Sequence, residues 1–271
     1  MTTIIGQAKL LSKIDAYYDA NRLPKTLMFV GPSGCGKHTM AKYIAEKFTL
    51  DLVEINEDVT SQELEGYLYS TIKTLYVIDL SKFTEKQQNQ FLKFIEEPSS
   101  SVYVALLATS EAGVLNTVLN RCIKLCFEPY TIEQIGQITN ATVNELAFKI
   151  FHTPGKLLNM TEGNLQSLMS VAEKVVFNLQ NASYSNALVV STKINYKDLF
   201  NKLDFDLFLD TVEYIALEDY KKTAAAQSLV VFKITNQFKQ HATQGRLIKE
   251  TLMLNYLITL WEAVKYDLNR T

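Results

Sequence analysis

The run Gly31-Pro32-Ser33-Gly34-Cys35-Gly36-Lys37 sets three glycines and a lysine within seven residues. Glycines let successive backbone N–H groups turn toward one point, and a helix that follows adds the positive end of its dipole. Such a loop cradles phosphate oxygens, with the lysine reaching the terminal phosphates of a nucleotide. The motif needs a strand before it and a helix after it. The apolar run Leu27–Val30 and the helical spacing from Lys37 to Phe48 supply both. The binding set read from this loop is Gly31, Pro32, Ser33, Gly34, Cys35, Gly36, Lys37, His38 and Thr39, and the ligand is ATP or ADP. His38 falls where such loops carry a Ser or Thr whose hydroxyl holds Mg2+. Imidazole suits that hard cation poorly, so His38 is read as an exposed or packed helix residue and Mg2+ is left open. Thr39 is turned a further ~100° around the helix and is expected to face elsewhere.

A second acidic element follows. Leu75-Tyr76-Val77-Ile78-Asp79 is an apolar strand ending in a carboxylate. After a phosphate loop, this is the Walker B arrangement, with Asp79 beside the cation and its waters. A plain strand-end cap is the alternative. In many phosphate-loop ATPases the next residue is normally a Glu that polarises the attacking water. Here it is Leu80, which can neither accept a proton nor orient water. Weak hydrolysis or none is therefore expected from this site alone.

The elements that must position these residues alternate. Short apolar strands are expected at Leu27–Val30, Leu52–Ile55, Leu75–Ile78, Val102–Leu107 and Cys122–Phe127, with helices between them. That is an α/β doubly wound parallel sheet covered on both faces. Thr60/Glu63 and Thr84/Gln87 read as capping boxes, the second opening a helix that Pro98 closes. After Pro129 the strands stop. Thr131/Gln134 and Thr142/Glu145 read as further helix starts. From Asn164 onward the pattern is all helical, with candidates at 164–180, 196–203, 204–220, 223–241 and 246–267. The expected division is 1–129 for the nucleotide-binding domain, 130–163 for a small helical lid, and 164–271 for a helical collar.

Composition narrows the function. A chain of 271 residues with net charge -2 is not a basic nucleic-acid coat. Three cysteines, Cys35, Cys122 and Cys126, give no disulfide framework and suggest a reducing, cytoplasmic home. No signal-peptide pattern is read at the N-terminus, and no apolar run approaches the ~20 residues that span a bilayer, so no membrane association is expected. His152 and His241 stand alone in the sequence, so metal binding is not expected at either. The scattered aromatics and Trp261 are read as core.

Several stretches together resemble clamp-loader subunits of the AAA+ class. Gln87-Gln88-Asn89-Gln90-Phe91-Leu92-Lys93-Phe94-Ile95-Glu96-Glu97-Pro98 is similar to their helix ending in Glu-Glu-Pro. Asn120-Arg121-Cys122 is similar to their Ser-Arg-Cys motif. Ile5-Gly6-Gln7 is similar to the segment before their adenine pocket, and Thr109 falls on sensor 1. The pattern, over roughly 4–129, is that of the delta-prime or gamma/tau subunits of bacterial DNA polymerase III. The resemblance implies a RecA-like nucleotide domain, a lid and a collar, in a ring with other AAA+ subunits that opens a sliding clamp onto primer-template DNA. It implies that Arg121 acts in trans on a nucleotide held by the neighbour, a local ion pair being the alternative. It implies that Ile5 borders the base and that Lys156, in Thr153-Pro154-Gly155-Lys156, stands at sensor 2, where arginine is usual. The four-cysteine zinc module of many relatives has no counterpart, since no cysteine lies between Cys35 and Cys122. Lys82 and Lys86 flank a helix start that in this family tracks DNA, although a solvated helix face is the simpler reading. An active ATPase motor and a helicase loader are the competing functions.

Overall fold

The computed structural model describes residues 2–96, 98–158, 160–181, 205–242 and 249–268. The helix expected at 196–203, Glu97 of the Glu-Glu-Pro box and the side chain of His241 lie outside the described set. The described residues fall into two compact units, one within 1–143 and 152–158, the other within 144–151 and 159–271. The stretch 130–163, read as a lid, thus contributes to both.

In the first unit, five parallel strands run in the order β2-β3-β4-β1-β5. They are β1 (Thr26–Val30), β2 (Asp51–Glu54), β3 (Thr74–Asp79), β4 (Val102–Ala108) and β5 (Ile123–Cys126). The three central strands read as near-continuous apolar runs because both faces are covered. Alternation assigns their residues to two cores. Leu27, Phe29, Leu75, Val77 and Leu107 pack with Ile14 of α1 (Ala8–Asp19) and with Met40 and Ile44 of α2 (Lys37–Phe48). Met28, Tyr76, Ile78, Val104 and Leu106 pack on the other face with Phe83, Phe91 and Phe94. The edge strands β2 and β5 are mostly exposed.

The capping boxes at Thr60 and Thr84 form, opening α3 (Ser61–Leu68) and α4 (Glu85–Gln90). The helix expected to run unbroken toward Pro98 is instead two pieces, α4 and α5 (Leu92–Glu96). At Phe91 the N–H bonds to Gln88 O three residues back, which tightens the turn, and the ring stacks edge-on against Phe83 at 4.9 Å. The short α6 (Asn116–Leu119) leads into β5, and α7 (Ile132–Thr139) starts from the Thr131/Gln134 box. Thr142 does not cap the next helix. Asn144 does so, its Oδ1 accepting from Leu146 N at 2.9 Å and Ala147 N at 3.1 Å, and α8 (Glu145–Phe151) begins there. The turn α9 (Pro154–Leu157) completes the first unit.

The described residues of the second unit are helical: α8, α10 (Glu162–Asn181), α11 (Phe205–Thr223), α12 (Ala226–Ala242) and α13 (Lys249–Leu268). Phe205, Phe208, Leu209, Val212, Val231, Tyr256 and Leu260 are buried in it. Two polar links sit among them. The hydroxyls of Thr235 and Tyr256 share a hydrogen bond of 2.7 Å, and Lys239 pairs with Asp210 at 2.7 Å and with Glu213.

Candidate nucleotide site

The carboxyl ends of β1, β3 and β4 converge on one cleft, the place where open α/β sheets hold ligands. It measures about 410 Å3, within the usual range for small-ligand sites. Ser33 to Thr39 of the phosphate loop line it with Asp79, Ser81 and Thr109, while Gly31 and Pro32 lie outside the lining.

The loop has the backbone its sequence calls for. Gly34 and Gly36 take φ of +78° and +96°, values that a side chain would strain. Met40 N–H donates to Gly36 O at 2.9 Å, so the N–H groups just before it open α2 without an intrahelical acceptor. These donors and the dipole of a 12-residue helix suit an anion. Lys37 is buried, and its ammonium donates to Gly31 O at 2.6 Å and Pro32 O at 2.9 Å. Burial pulls its pKa below the ordinary lysine value, partly offset by Cys35 and Asp79. Apolar walls come from Ile4, Ile5, Phe127, Ile138 and Leu158. Their chemistry fits a flat base beside the phosphate loop.

Sequence reasoning missed three supports. The Tyr130 hydroxyl donates to Cys35 O at 2.9 Å and braces the loop from beneath. Gln7 pins the segment holding Ile4 and Ile5, its amide donating to Glu128 O and accepting from Glu128 N, both at 2.8 Å. The turn around Gly155 docks on the loop tip: Gly155 N–H donates to Gly34 O and Thr153 Oγ1 to Ser33 O, each at 2.9 Å. These bonds use loop carbonyls and leave the N–H groups at the start of α2 to a ligand. The Thr-Pro-Gly sequence was the available signal for this turn. Lys156 itself is not among the lining residues, though its charge helps lower the pKa of Lys37.

On the metal side, His38 does more than face solvent. Its Nδ1 lies 3.5 Å from Glu54 Oε1 and its Nε2 lies 4.0 Å from Asp79 Oδ2. Asp79 raises the His38 pKa, against burial and with help from Glu54. Burial pushes the Asp79 carboxyl up, but His38 and the hydroxyl and N–H of Ser81 together hold it below its ordinary value. Asp79 Oδ1 accepts from Ser81 Oγ at 2.6 Å and from Ser81 N at 3.2 Å. Leu80, where a water-polarising glutamate would stand, is buried in the core with Phe83 and Phe91. Thr39 is exposed at the cleft border. Mg2+ as this fold ordinarily holds it does not fit: His38 stands where the hydroxyl directly after Lys37 would be, and Asp79 Oδ1 already accepts two bonds from Ser81. Among the described residues no cluster of three or more His, Cys, Asp or Glu could hold a metal ion.

Arg121 lies outside the cleft lining. Its guanidinium pairs with Glu96 and donates to Thr117 O at 2.6 Å, and both charged side chains are partly exposed. Lys82 and Lys86 are exposed on the same unit. No helix among the described residues is long and apolar enough to cross a membrane.

Residues 49–131 match the family described as DNA polymerase III, delta subunit. The DNA polymerase III subunit gamma of Buchnera aphidicola is 22% identical over 209 residues, covering 64% of this chain and 56% of that protein. The replication factor C small subunit of Natronomonas pharaonis is 22% identical over 206 residues, covering 69% of this chain and 60% of that protein. The chain thus spans little more than half the length of these two relatives. A variant of the RuvB protein of Thermotoga maritima superposes with a TM-score of 0.50 at 14% identity, over 76% of this chain and 87% of that one, a likeness of fold.

Proposed function

We propose that this chain is an AAA+ clamp-loader subunit of the delta-prime kind, holding nucleotide with little or no turnover and lending Arg121 to a neighbour; the match over residues 49–131 and the parallel-sheet fold support that reading. One observation carries this reading. The phosphate loop keeps its glycines, its lysine and the open end of α2, while Leu80 is buried in the apolar core and His38 replaces the hydroxyl. Binding chemistry is retained where firing chemistry is lost.

Arg121 would then be the useful charge. Its bond to Glu96 is partly exposed, and such pairs contribute only about 0–1 kcal/mol, so exchange for a neighbour's phosphate costs little. A guanidinium supplied in trans raises phosphoryl-transfer rates by about 10^3–10^5 in other systems. In this reading the chain joins other AAA+ subunits in a cytoplasmic ring that places a sliding clamp on primer-template DNA. The division into nucleotide domain, lid and collar serves that ring, with the helical segment after residue 163 as the oligomerisation element and Lys156 at the sensor 2 position beside the cleft.

The test is the ATPase rate of the reconstituted ring with Arg121→Ala. The ring should still assemble by native mass measurement while its ATP hydrolysis falls at least tenfold. An intact ring hydrolysing at the wild-type rate would remove Arg121 from this role. Brisk hydrolysis by the isolated chain, abolished by Lys37→Ala, would favour a motor subunit instead.

A further inference from the structure

The mismatch between this cleft and Mg2+ has a consequence for its ligand. Three features bear on it. The residue after Lys37 brings an imidazole, and its two nitrogens face two carboxylates, Glu54 at 3.5 Å and Asp79 at 4.0 Å. Asp79 Oδ1 accepts from Ser81 Oγ and N, and its Oδ2 lies 4.0 Å from His38 Nε2. The donors that address phosphate need no cation as intermediary, because Lys37 and the first turn of α2 lie on the same loop.

We propose that the cleft takes the phosphates of a nucleoside di- or triphosphate as a metal-free anion, with the His38 ring occupying the divalent cation's role beside Asp79. In ordinary phosphate loops the cation neutralises the acidic strand end, which would otherwise repel the phosphates. Here the His38 ring and the Ser81 hydroxyl and N–H stand beside that carboxylate instead. Glu54, at the end of edge strand β2, lies 3.5 Å from the ring's second nitrogen. The ligand's charge is then met by Lys37, the loop N–H groups and the N-terminus of α2. Divalent cations add nothing to its retention. This inference rests on the reading of the cleft as a nucleotide site.

The experiment titrates N-methylanthraniloyl-ADP into the full chain in two buffers, one with magnesium chloride and one with EDTA. The proposal expects binding in EDTA at least as tight as with magnesium. It further expects His38→Thr, which restores the hydroxyl and frees Asp79, to bind about tenfold more tightly with magnesium than in EDTA, a factor typical of coupled ligands. If the wild-type chain binds about tenfold more tightly with magnesium, the metal-free inference falls while the nucleotide reading stands. If it binds in neither buffer, the nucleotide reading falls and takes the inference with it. Because the wild-type chain carries both outcomes, failure of the variant to fold leaves the test intact.

Discussion

Gly155→Ala is the sharpest perturbation of the site's scaffold. A Cβ at Gly155 would lie 2.7 Å from Gly34 Cα and 3.0 Å from Gly34 O, both backbone atoms that cannot swing aside. Reaching ordinary contact at 3.4 Å requires the turn to move off the loop by about 0.7 Å, since 3.4 − 2.7 = 0.7. That stretches the 2.9 Å bond from Gly155 N to Gly34 O beyond hydrogen-bond range, and it strains the Thr153–Ser33 bond beside it. Two hydrogen bonds at about 1 kcal/mol each give a loss near 2 kcal/mol, the size typical of overpacking. Gly66, inside α3 of the same unit, has nothing within 4 Å of its would-be Cβ. Gly66→Ala should therefore stabilise that unit by about 0.5–1 kcal/mol. Urea unfolding followed by circular dichroism gives both values, and amide exchange at 153–158 gives the local one. Equal effects of the two substitutions, or unchanged exchange in Gly155→Ala, would refute a turn docked on the loop.

Three further outcomes follow from the same geometry. Glu96→Gln should change stability by less than about 1 kcal/mol, because the Glu96–Arg121 pair is partly exposed, and urea midpoints measure this. Burial lowers the Lys239 pKa, but Asp210 and Glu213 more than offset it, so the folded value lies above the ordinary 10.5; the pair stabilises fully below pH 10.5 and the contribution is lost as pH rises through the folded value. Lys239→Met should cost about 2–3 kcal/mol at neutral pH by leaving buried Asp210 without this cation, and should remove that alkaline loss, with Trp261 fluorescence reporting unfolding. Burial pushes the thiols of Cys35 and Cys122 above the usual range, whereas Cys126 is exposed, so alkylation near pH 8 should label Cys126 first and the other two slowly; peptide mapping decides.

The strands and the loop were legible because their signals are local. A buried parallel strand is an apolar run, and a phosphate loop is a glycine pattern between two such signals. The five expected strands stand within a residue or two of their observed bounds, and the capping boxes at Thr60, Thr84 and Thr131 form where Thr and Glu or Gln are spaced by three. The misplaced cap at Thr142 failed because an Asn two residues on offers a better-placed acceptor, a choice spacing does not register. The break at Phe91 depends on a contact with Phe83, eight residues away across a turn. The site's unforeseen parts are long-range. Tyr130 braces a loop 95 residues earlier, Gly155 meets Gly34, and Glu54 reaches His38 from a neighbouring strand end. No periodicity encodes such pairs, because the sheet order brings them together.

The central claim is that nucleotide is held here without being consumed, and a single-turnover measurement addresses it. Labelled ATP is incubated with an excess of the isolated chain, and the bound fraction is recovered and resolved into ATP and ADP. Recovery of intact ATP, over a time in which an ordinary enzyme would turn over many times at about 1–10^3 per second, is the predicted result. Conversion of the bound ATP to ADP at such a rate, lost in Lys37→Ala, would contradict it.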